Sequence, residues 1–385
     1  MEKKTTKPNL SILNLALGSA GAEKVISLLL KKLIKDYNVT LFLIFKERHF
    51  HIPKEVNVVS FTDRPSTSPM LVKIACGVLI LFKYNRLLKK LNINYALSFL
   101  PFPNILNSIS SIFHPGIKFL ISERGFPSNN TSKKISHYIS KVSYPLFYNR
   151  CDKLFSNSIY INQDLKENFG IKIPMDVIYN PIELPEKVID SSTLSETKKR
   201  LNVITVGSLI PRKNQISIID ALEGSNDDYT LNIIGEGPLR PVLTERIAEL
   251  ELQNNAFLLG GGIKNVNDFL VESDCFVLSS RTEGFPNALL EALAAGLPSI
   301  SANCLSGPQE LLNDNLPTKI EKGGFLVGKY GILVNVDDSE GITSALAYLK
   351  ENPEERERLG KLSIERSKQY ELDNIYSIFN QFVQS

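Results

Sequence analysis

The stretch CFVLSSRTEGFPNALLEALAAGLPSIS, residues 275–301, decides the fold of this chain. It opens with a short apolar run at Cys275–Leu278 and passes through a loop that contains Gly and Pro. A run rich in Leu and Ala follows at Asn287–Ala295, and a second apolar run lies at Ser299–Ala302. Strand, helix and strand in this order predict a βαβ unit with two parallel strands.

The same alternation of short apolar runs and amphipathic segments fills the chain in two series. The first series predicts strands at Ser11–Leu17, Val39–Phe45, Tyr95–Phe99 and Lys118–Ser122, with a helix over about 22–35. The second predicts further strands at Asn202–Val206, Leu231–Ile234, Phe257–Leu259 and Gly331–Val334, with helices near 215–222 and 240–250. The polar, aperiodic segment Glu183–Arg200 predicts an interdomain linker. We therefore expect an α/β protein with two doubly wound, Rossmann-like domains that face each other across a cleft.

Length and composition agree with this expectation. The chain has 385 residues, of which 43% are hydrophobic and 22% charged, so two large cores can form. These values exclude disordered, collagen-like and disulfide-stapled chains. The four cysteines, Cys76, Cys151, Cys275 and Cys304, form no CxxC pair and predict reduced thiols in a cytosolic protein. The longest apolar run, Ile74 to Phe82, is shorter than the ~20 residues that span a bilayer.

Charge is divided unequally along the chain, although the net charge is only +3. Residues 1–180 carry 25 Lys and Arg against 11 Asp and Glu, a net of +14, and the remainder carries a net of −11. A basic half of this size favours an anionic partner, which could be a nucleic acid, a membrane or a phosphorylated ligand. Simple drift of surface charge is the alternative.

Two carboxylates and two cations lie at predicted strand ends. Glu283 is on the loop before the helix 287–295, and Glu291 lies eight residues further along, within it. Both can reach one ligand, whose anionic group the free N–H groups of the helix start could hold, with Asn287 as the N-cap. Arg212 and Lys213 follow another strand and a Gly-Ser turn, where cations meet phosphates. The alternatives are an exposed loop acid, a helix-dipole acid and a solvated basic loop.

Several segments together resemble glycosyltransferase family 4, the retaining, nucleotide-sugar-dependent enzymes of the GT-B fold with an E-x7-E signature. EGFPNALLEALAAGLP followed by SGPQELL is similar to that signature. The other similar segments, in order, are SAGAEKV (19–25), VIYNPI (177–182), VGSLIPRKNQ (206–215), LNIIGEGPLR (231–240) and FLLGGGIKNV (257–266). The resemblance covers nearly the whole chain and is strongest over 202–311.

The resemblance implies roles for residues of the second domain. The first glutamate, Glu283, is expected to contact hydroxyls of the donor sugar, and the second, Glu291, to contact the ribose. Arg212 and Lys213 are expected to hold the diphosphate together with the amides near Ala288 and Leu289. The other expected donor-binding residues are Gly207, Gly235, Ile263, Gly284 and Phe285. Gly235 is expected to act structurally near the ligand, and a simple tight turn is its alternative.

Three residues of the first domain are expected on the acceptor side. Gly21 lies in a loop similar to the Gly-Gly-Ala-Glu loop of the family, with Ala20 in place of the first glycine. Many relatives have a His after a strand near position 120, where this chain has Ser122, Glu123 and Arg124. A subgroup that acts on bacterial surface glycans has a similar Ser-Glu-Arg. Glu123 and Arg124 are therefore candidate site residues, and a buried ion pair is the alternative.

The expected division is an acceptor domain over 1–183 and a donor domain over 184–367, with the C-terminal helix, about 368–385, packing back on the first domain. No cofactor is expected, because the resemblance implies no required metal, the four histidines form no cluster, and cations on the diphosphate can replace Mg²⁺.

Two segments of the basic half predict amphipathic helices that could lie on an anionic membrane. Their basic residues are Lys73, Lys83, Arg86, Lys89 and Lys90 in one, and Lys133, Lys134, Lys141 and Arg150 in the other. Ordinary core-facing helices are the alternative. Nucleic acid is not an expected partner, because no binding motif is present and stacking aromatics do not alternate with the basic residues.

The leading functional hypothesis is a retaining glycosyltransferase that moves a hexose or N-acetylhexosamine from a nucleotide sugar, expected to be UDP-linked, to a polyprenyl-diphosphate-linked or growing surface glycan. We expect it in the cytoplasm, peripheral on the inner face of the plasma membrane. The alternatives are a UDP-sugar 2-epimerase of the same fold and a non-catalytic nucleotide-sugar-binding protein.

Overall fold

The computed structural model describes residues 7–63, 70–129, 134–225, 227–263 and 265–385. It divides the chain into two compact units. The first unit comprises Met1–Pro181 and Leu372–Ser385, and the second comprises Ile182–Glu371. The chain therefore leaves the first unit once and returns to it for its last 14 residues.

The first unit contains a seven-stranded sheet in which every pairing is parallel. Its strands are β1 (Asn9–Asn14), β2 (Asn38–Phe45), β3 (Asn57–Thr62), β4 (Tyr95–Phe99), β5 (Lys118–Glu123), β6 (Lys153–Ser156) and β7 (Met175–Val177). They lie in the order β3-β2-β1-β4-β5-β6-β7. The order reverses between β1 and β4, which is the doubly wound arrangement.

Helices connect these parallel strands, except β2 and β3, which a loop over residues 46–56 joins. They are α1 (Gly21–Asp36), α2 (Met70–Lys90), α3 (Pro101–Ser111), α4 (Lys134–Phe147) and α5 (Ile159–Phe169). A short 3-10 helix at Tyr148–Arg150 follows α4. The inner strands β1 and β2 are buried along almost their whole length, as expected where helices cover both faces of a sheet.

The second unit repeats the arrangement with one antiparallel edge. Its strands are β8 (Leu201–Val206), β9 (Tyr229–Ile234), β10 (Ala256–Leu259), β11 (Cys275–Leu278), β12 (Ser299–Ala302), β13 (Phe325–Val327) and β14 (Ile332–Val334). They lie in the order β10-β9-β8-β11-β12-β14-β13, and of these described strands β13 alone runs antiparallel to its neighbour, β14. The prediction of two doubly wound α/β domains is confirmed.

The helices of the second unit cover a core built from the inner strands. They are α6 (Ile216–Asp220), α7 (Arg240–Glu249), α8 (Val266–Val271), α9 (Asn287–Ala295), α10 (Pro308–Asn313), α11 (Ser339–Glu351) and α12 (Pro353–Lys368). Leu231, Val277 and Ile300 on three different strands are each fully buried in this core. The last helix, α13 (Leu372–Gln384), belongs to the first unit, where Phe379 and Phe382 pack edge-on against Phe155 of β6.

The segment Glu183–Arg200, expected to be a linker, is a packed part of the second unit. It contains a 3-10 helix at Ser191–Ser195, and its Leu194 is buried. The fully buried guanidinium of Arg356 donates to the carbonyl oxygens of Leu194 and Glu196. The prediction of a linker was wrong because the segment has no apolar periodicity of its own that would indicate packing. Its backbone carbonyls receive hydrogen bonds from an arginine 160 residues away.

Candidate active site

Two neighbouring strands of the second unit bring the predicted anion-binding residues together. β8 and β11 pair in parallel, so the loops that follow them leave the same edge of the sheet. Arg281, in the loop after β11, makes two hydrogen bonds to the loop after β8. Its backbone N–H donates to the Arg212 carbonyl at 2.8 Å, and its guanidinium donates to the Pro211 carbonyl at 3.0 Å. The two loops are therefore hydrogen-bonded to each other at the edge of the sheet.

Glu283, Arg212 and Lys213 are in direct contact there. The Lys213 ammonium donates to Oε1 of Glu283 at 2.5 Å, and the Arg212 guanidinium donates to Oε2 at 3.0 Å. Arg212 Nη1 also donates to the Thr282 carbonyl at 3.0 Å. Each carboxylate oxygen of Glu283 thus has its own cation, and the prediction that these three residues share one site agrees with this geometry.

Glu283 is a buried carboxylate, which excludes the alternative of an exposed loop acid. Its side chain is 7% exposed, whereas that of Arg212 is 41% exposed. Burial alone would raise the pKa of the Glu283 carboxyl, but Lys213 and Arg212 outweigh it and hold that pKa below its ordinary value. The carboxylate is therefore charged at neutral pH, where it can orient a hydroxyl group but cannot donate a proton.

Helix α9 begins at the expected place, but its cap is different. Asn287 is the first helical residue, and the N-cap position is taken by Pro286, whose backbone is extended. Leu290 makes the first backbone hydrogen bond of the helix, to the Pro286 carbonyl. The N–H groups of Ala288 and Leu289 consequently lie in the first turn, where the helix itself supplies no acceptor. Glu291 is half-buried in the next turn.

Glycines allow the loops after β8 and β9 to touch. A Cβ atom on Gly235 would lie 2.0 Å from the carbonyl oxygen of Gly207, a distance that no real contact reaches. A Cβ atom on Gly237 would meet the Leu209 backbone at 2.4 Å. Gly207 itself lies beside the aliphatic part of Lys213. These glycines are needed for the close approach of the two loops, and this agrees with a structural role for Gly235.

The loop after β10 is held to the same edge by an ion pair. Arg240 donates to both carboxylate oxygens of Glu236, and Glu236 accepts from the backbone N–H of Gly261 at 3.0 Å. Arg240 also reaches the Leu258 carbonyl at 3.2 Å. Ile263, the residue expected on the nucleobase side, is half-buried in this loop.

Three residues without a predicted role contact the loop that carries Glu283, namely Ser306, Gly307 and Tyr370. The Ser306 hydroxyl donates to the Glu283 carbonyl, and a Cβ atom on Gly307 would meet Pro286 at 2.5 Å. The ring of Tyr370 packs 5.3 Å from the ring of Phe285. The SGPQELL motif pointed to the first two residues, but no local pattern pointed to Tyr370.

A buried polar network lies at the carboxyl end of β5 in the first unit. Glu123 is 1% exposed, and its Oε2 accepts from the Tyr148 hydroxyl at 3.1 Å. Asn104 donates to the Ser122 carbonyl at 2.9 Å and accepts from the Ser98 hydroxyl. Burial raises the pKa of Glu123 to about 7, despite the hydrogen bond from Tyr148 and the charge of Arg124.

Arg124 has partners of its own, so the two side chains do not form the simple ion pair considered as an alternative. Its Nη2 donates to Oδ1 of Asn180 at 2.7 Å, and its guanidinium lies 5.6 Å from the Phe99 ring and 5.8 Å from the Phe155 ring. Burial lowers the pKa of this guanidinium. Gly21 is exposed and begins α1.

The helices α2 and α4 expose apolar side chains beside basic ones. Phe82 is 73% exposed and Val142 is 68% exposed. The other exposed apolar residues are Val78, Leu79, Tyr138, Ile139 and Leu146, and the exposed basic ones are Lys83, Arg86, Lys89, Lys90, Lys141 and Arg150. Lys133 and the side chains of Lys73 and Lys134 lie outside the described residues. Tyr84 and Tyr144 on the same helices are buried, so each helix is apolar on two sides.

The described residues lack both a membrane-spanning helix and a metal-binding cluster. Among them, no helix is both long and apolar enough to cross a membrane. In the same ranges, no group of three or more His, Cys, Asp or Glu side chains is arranged to hold a metal ion.

Comparison with known proteins agrees with the motifs. The family models described as "Glycosyltransferase Family 4" and "Glycosyl transferases group 1" match residues 19–185 and 188–366. The chain is 28% identical over 94% of its length to a Campylobacter jejuni N-acetylgalactosamine-N,N'-diacetylbacillosaminyl-diphospho-undecaprenol 4-alpha-N-acetylgalactosaminyltransferase, of which it covers 95%. It is 32% identical over 71% of its length to an uncharacterized glycosyltransferase of Methanocaldococcus jannaschii, of which it covers 69%.

A solved structure with the same fold is that of Anabaena HepE in complex with UDP and glucose, with a TM-score of 0.75 and 15% identity. The alignment covers 98% of this chain and 99% of HepE. The sheet orders, the E-x7-E helix and these matches lead to one conclusion: the chain is a glycosyltransferase with the GT-B fold and belongs to glycosyltransferase family 4.

Proposed function

We propose that this enzyme transfers a hexose or an N-acetylhexosamine from a UDP-sugar to a polyprenyl-diphosphate-linked or growing surface glycan, with retention of anomeric configuration. The observation that carries the proposal is the contact of Glu283 with both Arg212 and Lys213 at the carboxyl ends of β8 and β11. The Campylobacter relative is named for transfer of N-acetylgalactosamine to a diphospho-undecaprenol glycan, and HepE binds UDP.

In this proposal the donor diphosphate binds to Arg212, Lys213 and the amides of Ala288 and Leu289. Each cation can contact phosphate while it bonds Glu283, because an ammonium has three donors and a guanidinium five. Negative charge develops on the diphosphate as the sugar leaves, so cations and helix N–H groups fixed at that point lower the barrier. Fixed cations supply the charge stabilisation that a metal ion supplies elsewhere, and we propose that the reaction needs none.

Glu283 would accept hydrogen bonds from hydroxyls of the transferred sugar, since its charged carboxylate is an acceptor only. Glu291, one helical turn into α9, would contact the ribose. Gly284 and Phe285 would present backbone amides to the sugar, and Ile263 would border the base. We further propose that the first unit binds the acceptor, with Gly21, Glu123 and Arg124 on the acceptor side.

Membrane association at the inner face of the plasma membrane is the second part of the proposal. Phe82 and Val142 expose large apolar surfaces next to Lys83 and Lys141, and this combination suits an anionic bilayer. Such a location would bring the enzyme to a lipid-linked acceptor. Nucleic acid is not part of the proposal.

The test is transfer from radiolabelled UDP-GalNAc, UDP-GlcNAc, UDP-glucose and UDP-galactose to a panel of undecaprenyl-diphosphate glycans, with GDP- and ADP-sugars as controls. We expect a lipid-linked product from at least one UDP-sugar in the presence of EDTA, with α linkage by NMR from an α-configured donor. Conversion of UDP-GlcNAc without any acceptor would instead indicate a 2-epimerase. Binding of UDP-sugar without turnover on a broad panel would indicate a non-catalytic protein.

A further inference from the structure

One aromatic contact joins the loop between β11 and α9, residues 279–286, to the point where the chain leaves the second unit. We call this loop the donor loop. The rings of Phe285 and Tyr370 lie 5.3 Å apart with an angle of 53° between their planes, and both side chains are about 95% buried. Phe285 is two residues after Glu283, whereas Tyr370 lies after the end of α12, two residues before the first unit resumes. The contact is therefore long-range and fixes the position of the loop after β11 from outside the loop itself.

Two further contacts hold Tyr370 in place. Its carbonyl accepts from the backbone N–H of Ile182 at 2.9 Å, at the place where the chain enters the second unit. The guanidinium of Arg366 lies over its ring at 5.3 Å and over the ring of Tyr330 at 4.6 Å. Arg366 also donates to Asp314 at 2.8 Å, so the stack has a fixed orientation.

A second connection runs from Arg366 to the same loop. Its guanidinium donates to the carbonyls of Glu310 and Leu311 in α10. That helix begins after Gly307, which abuts Pro286 of the donor loop. The loop is thus supported on one side by an aromatic ring and on the other by a helix start, and Arg366 contacts both supports. Packing of this kind keeps a binding loop within the narrow geometry that transfer requires.

We propose that Tyr370 is a positioning residue for the sugar end of the donor site, acting through Phe285 on Glu283 and the Gly284–Phe285 backbone. This inference rests on the proposed function, because it takes the loop after β11 as the part that contacts the transferred sugar. UDP contacts other groups in that proposal. Loss of the Tyr370 ring should therefore affect transfer of the sugar more than binding of the nucleotide.

The test compares Tyr370→Leu with two matched variants. Tyr370→Phe keeps the ring that contacts Phe285 and should keep the transfer kinetics of the wild type. Tyr330→Leu removes the other ring that Arg366 contacts, at a position that is 7% exposed, and should lower the unfolding temperature without affecting the donor loop. The measurements are kcat/KM for the UDP-sugar at saturating acceptor, the Kd of UDP by calorimetry, and the unfolding temperature.

For Tyr370→Leu we expect kcat/KM to fall about tenfold or more while the Kd of UDP changes less than about twofold. Kinetics equal to the wild type, or an equal fall in Tyr330→Leu, would overturn the proposal and leave Tyr370 a core residue. Tyr370→Met keeps the volume without the ring and gives the same test if Tyr370→Leu does not fold. A wild-type enzyme without transfer activity would contradict the proposed function instead, which is a separate outcome.

Discussion

The ammonium of Lys213 lies 2.5 Å from the carboxylate of Glu283, although the two residues are 70 positions apart and follow different strands. Both side chains are largely buried, with 15% and 7% of their surface exposed. The pair gives the site a fixed charge arrangement before any ligand arrives. Charged groups that are held in place before a ligand binds can stabilise a transition state without first having to reorganise.

Replacement of Glu283 by Gln should remove turnover but keep nucleotide binding. The amide keeps the size of the side chain but removes the negative charge that sugar hydroxyls would face. We expect kcat to fall about 100-fold or more, and the Kd of UDP to stay the same or decrease because Arg212 and Lys213 lose a competing anion. Steady-state kinetics and calorimetry measure the two effects. Glu245→Gln, at an exposed position of α7, is the control, and equal losses in both variants would contradict the assignment.

Replacement of Lys213 by Met should weaken UDP binding and also destabilise the fold. The loss of one charge-assisted hydrogen bond to phosphate predicts about tenfold weaker binding or more. Glu283 would keep Arg212 but lose its closer cation, which predicts a fall of about 1–3 kcal/mol in the free energy of unfolding. The double variant Lys213→Met with Glu283→Gln should recover most of the stability and none of the activity. A double variant as unstable as the single one would argue against the pair as the cause.

Glu123 should make the wild-type protein less stable at alkaline pH. Its folded pKa, about 7, lies above the ordinary value of 4.5, so the folded state binds this proton more tightly than the unfolded state. The resulting stability is complete below about pH 4.5 and is lost as the pH rises through 7. Glu123→Gln cannot ionise, so relative to the wild type it should gain about 2–3 kcal/mol between pH 5 and pH 8.

Urea unfolding followed by circular dichroism at pH 5, 6.5 and 8 measures this gain. Glu245→Gln, which removes an exposed carboxyl on α7, is the control variant. A constant difference between Glu123→Gln and the wild type across this range would show that the carboxyl is charged throughout, in contradiction of the raised pKa.

Gly235→Ala should separate the loops after β8 and β9. The added methyl group would lie 2.0 Å from the Gly207 carbonyl oxygen, so one loop must move. Strain of this kind predicts a loss of about 1–3 kcal/mol in stability, together with weaker UDP binding because Gly207 lies beside Lys213. Thermal unfolding with and without UDP measures both effects. Gly116→Ala, where an added Cβ would meet nothing within 4 Å, is the control and should change neither the stability nor the binding of UDP.

The exposed apolar residues of α2 should drive binding to anionic vesicles. We expect the double variant Leu79→Ser with Phe82→Ser to bind vesicles of phosphatidylglycerol and phosphatidylcholine about tenfold or more weakly in sedimentation assays. Binding should fall as salt increases, because the neighbouring lysines act electrostatically. Val242→Ser, at an exposed position of α7 in the second unit, is the control. Wild-type binding that is no stronger than that of the double variant would refute the membrane surface.

Much of this architecture could be predicted from the order of local patterns. Tyr95–Phe99 and Asn287–Ala295 have the predicted bounds, because a continuous apolar run and a Leu- and Ala-rich segment are unambiguous. The strands β3, β6, β7 and β13 were not predicted. β3 is a half-buried edge strand, and the other three have only three or four residues, so their periodicity is too short to recognise.

The candidate site was predictable only in part, for a physical reason. Arg212, Lys213 and Glu283 belong to motifs at strand ends, and parallel pairing of β8 with β11 brings such ends together. Tyr370 and Arg356 act through contacts with residues 85 or more positions away, which no local pattern encodes. The sequence suggested Asn287 as the N-cap residue of α9, but the N-cap residue is Pro286, whose backbone is extended.

The ends of the second unit lie side by side, since Ile182 and Glu371 form a parallel bridge and Ile182 bonds the Tyr370 carbonyl. In topological terms the second unit is an insert of one continuous segment, whereas the first unit is assembled from two pieces. A replacement of residues 182–371 by the matching segment of a relative would therefore need only two adjacent splice points. Under the proposed division of roles, donor specificity could be exchanged in this way, in the laboratory or in evolution, while the first unit keeps its own sequence.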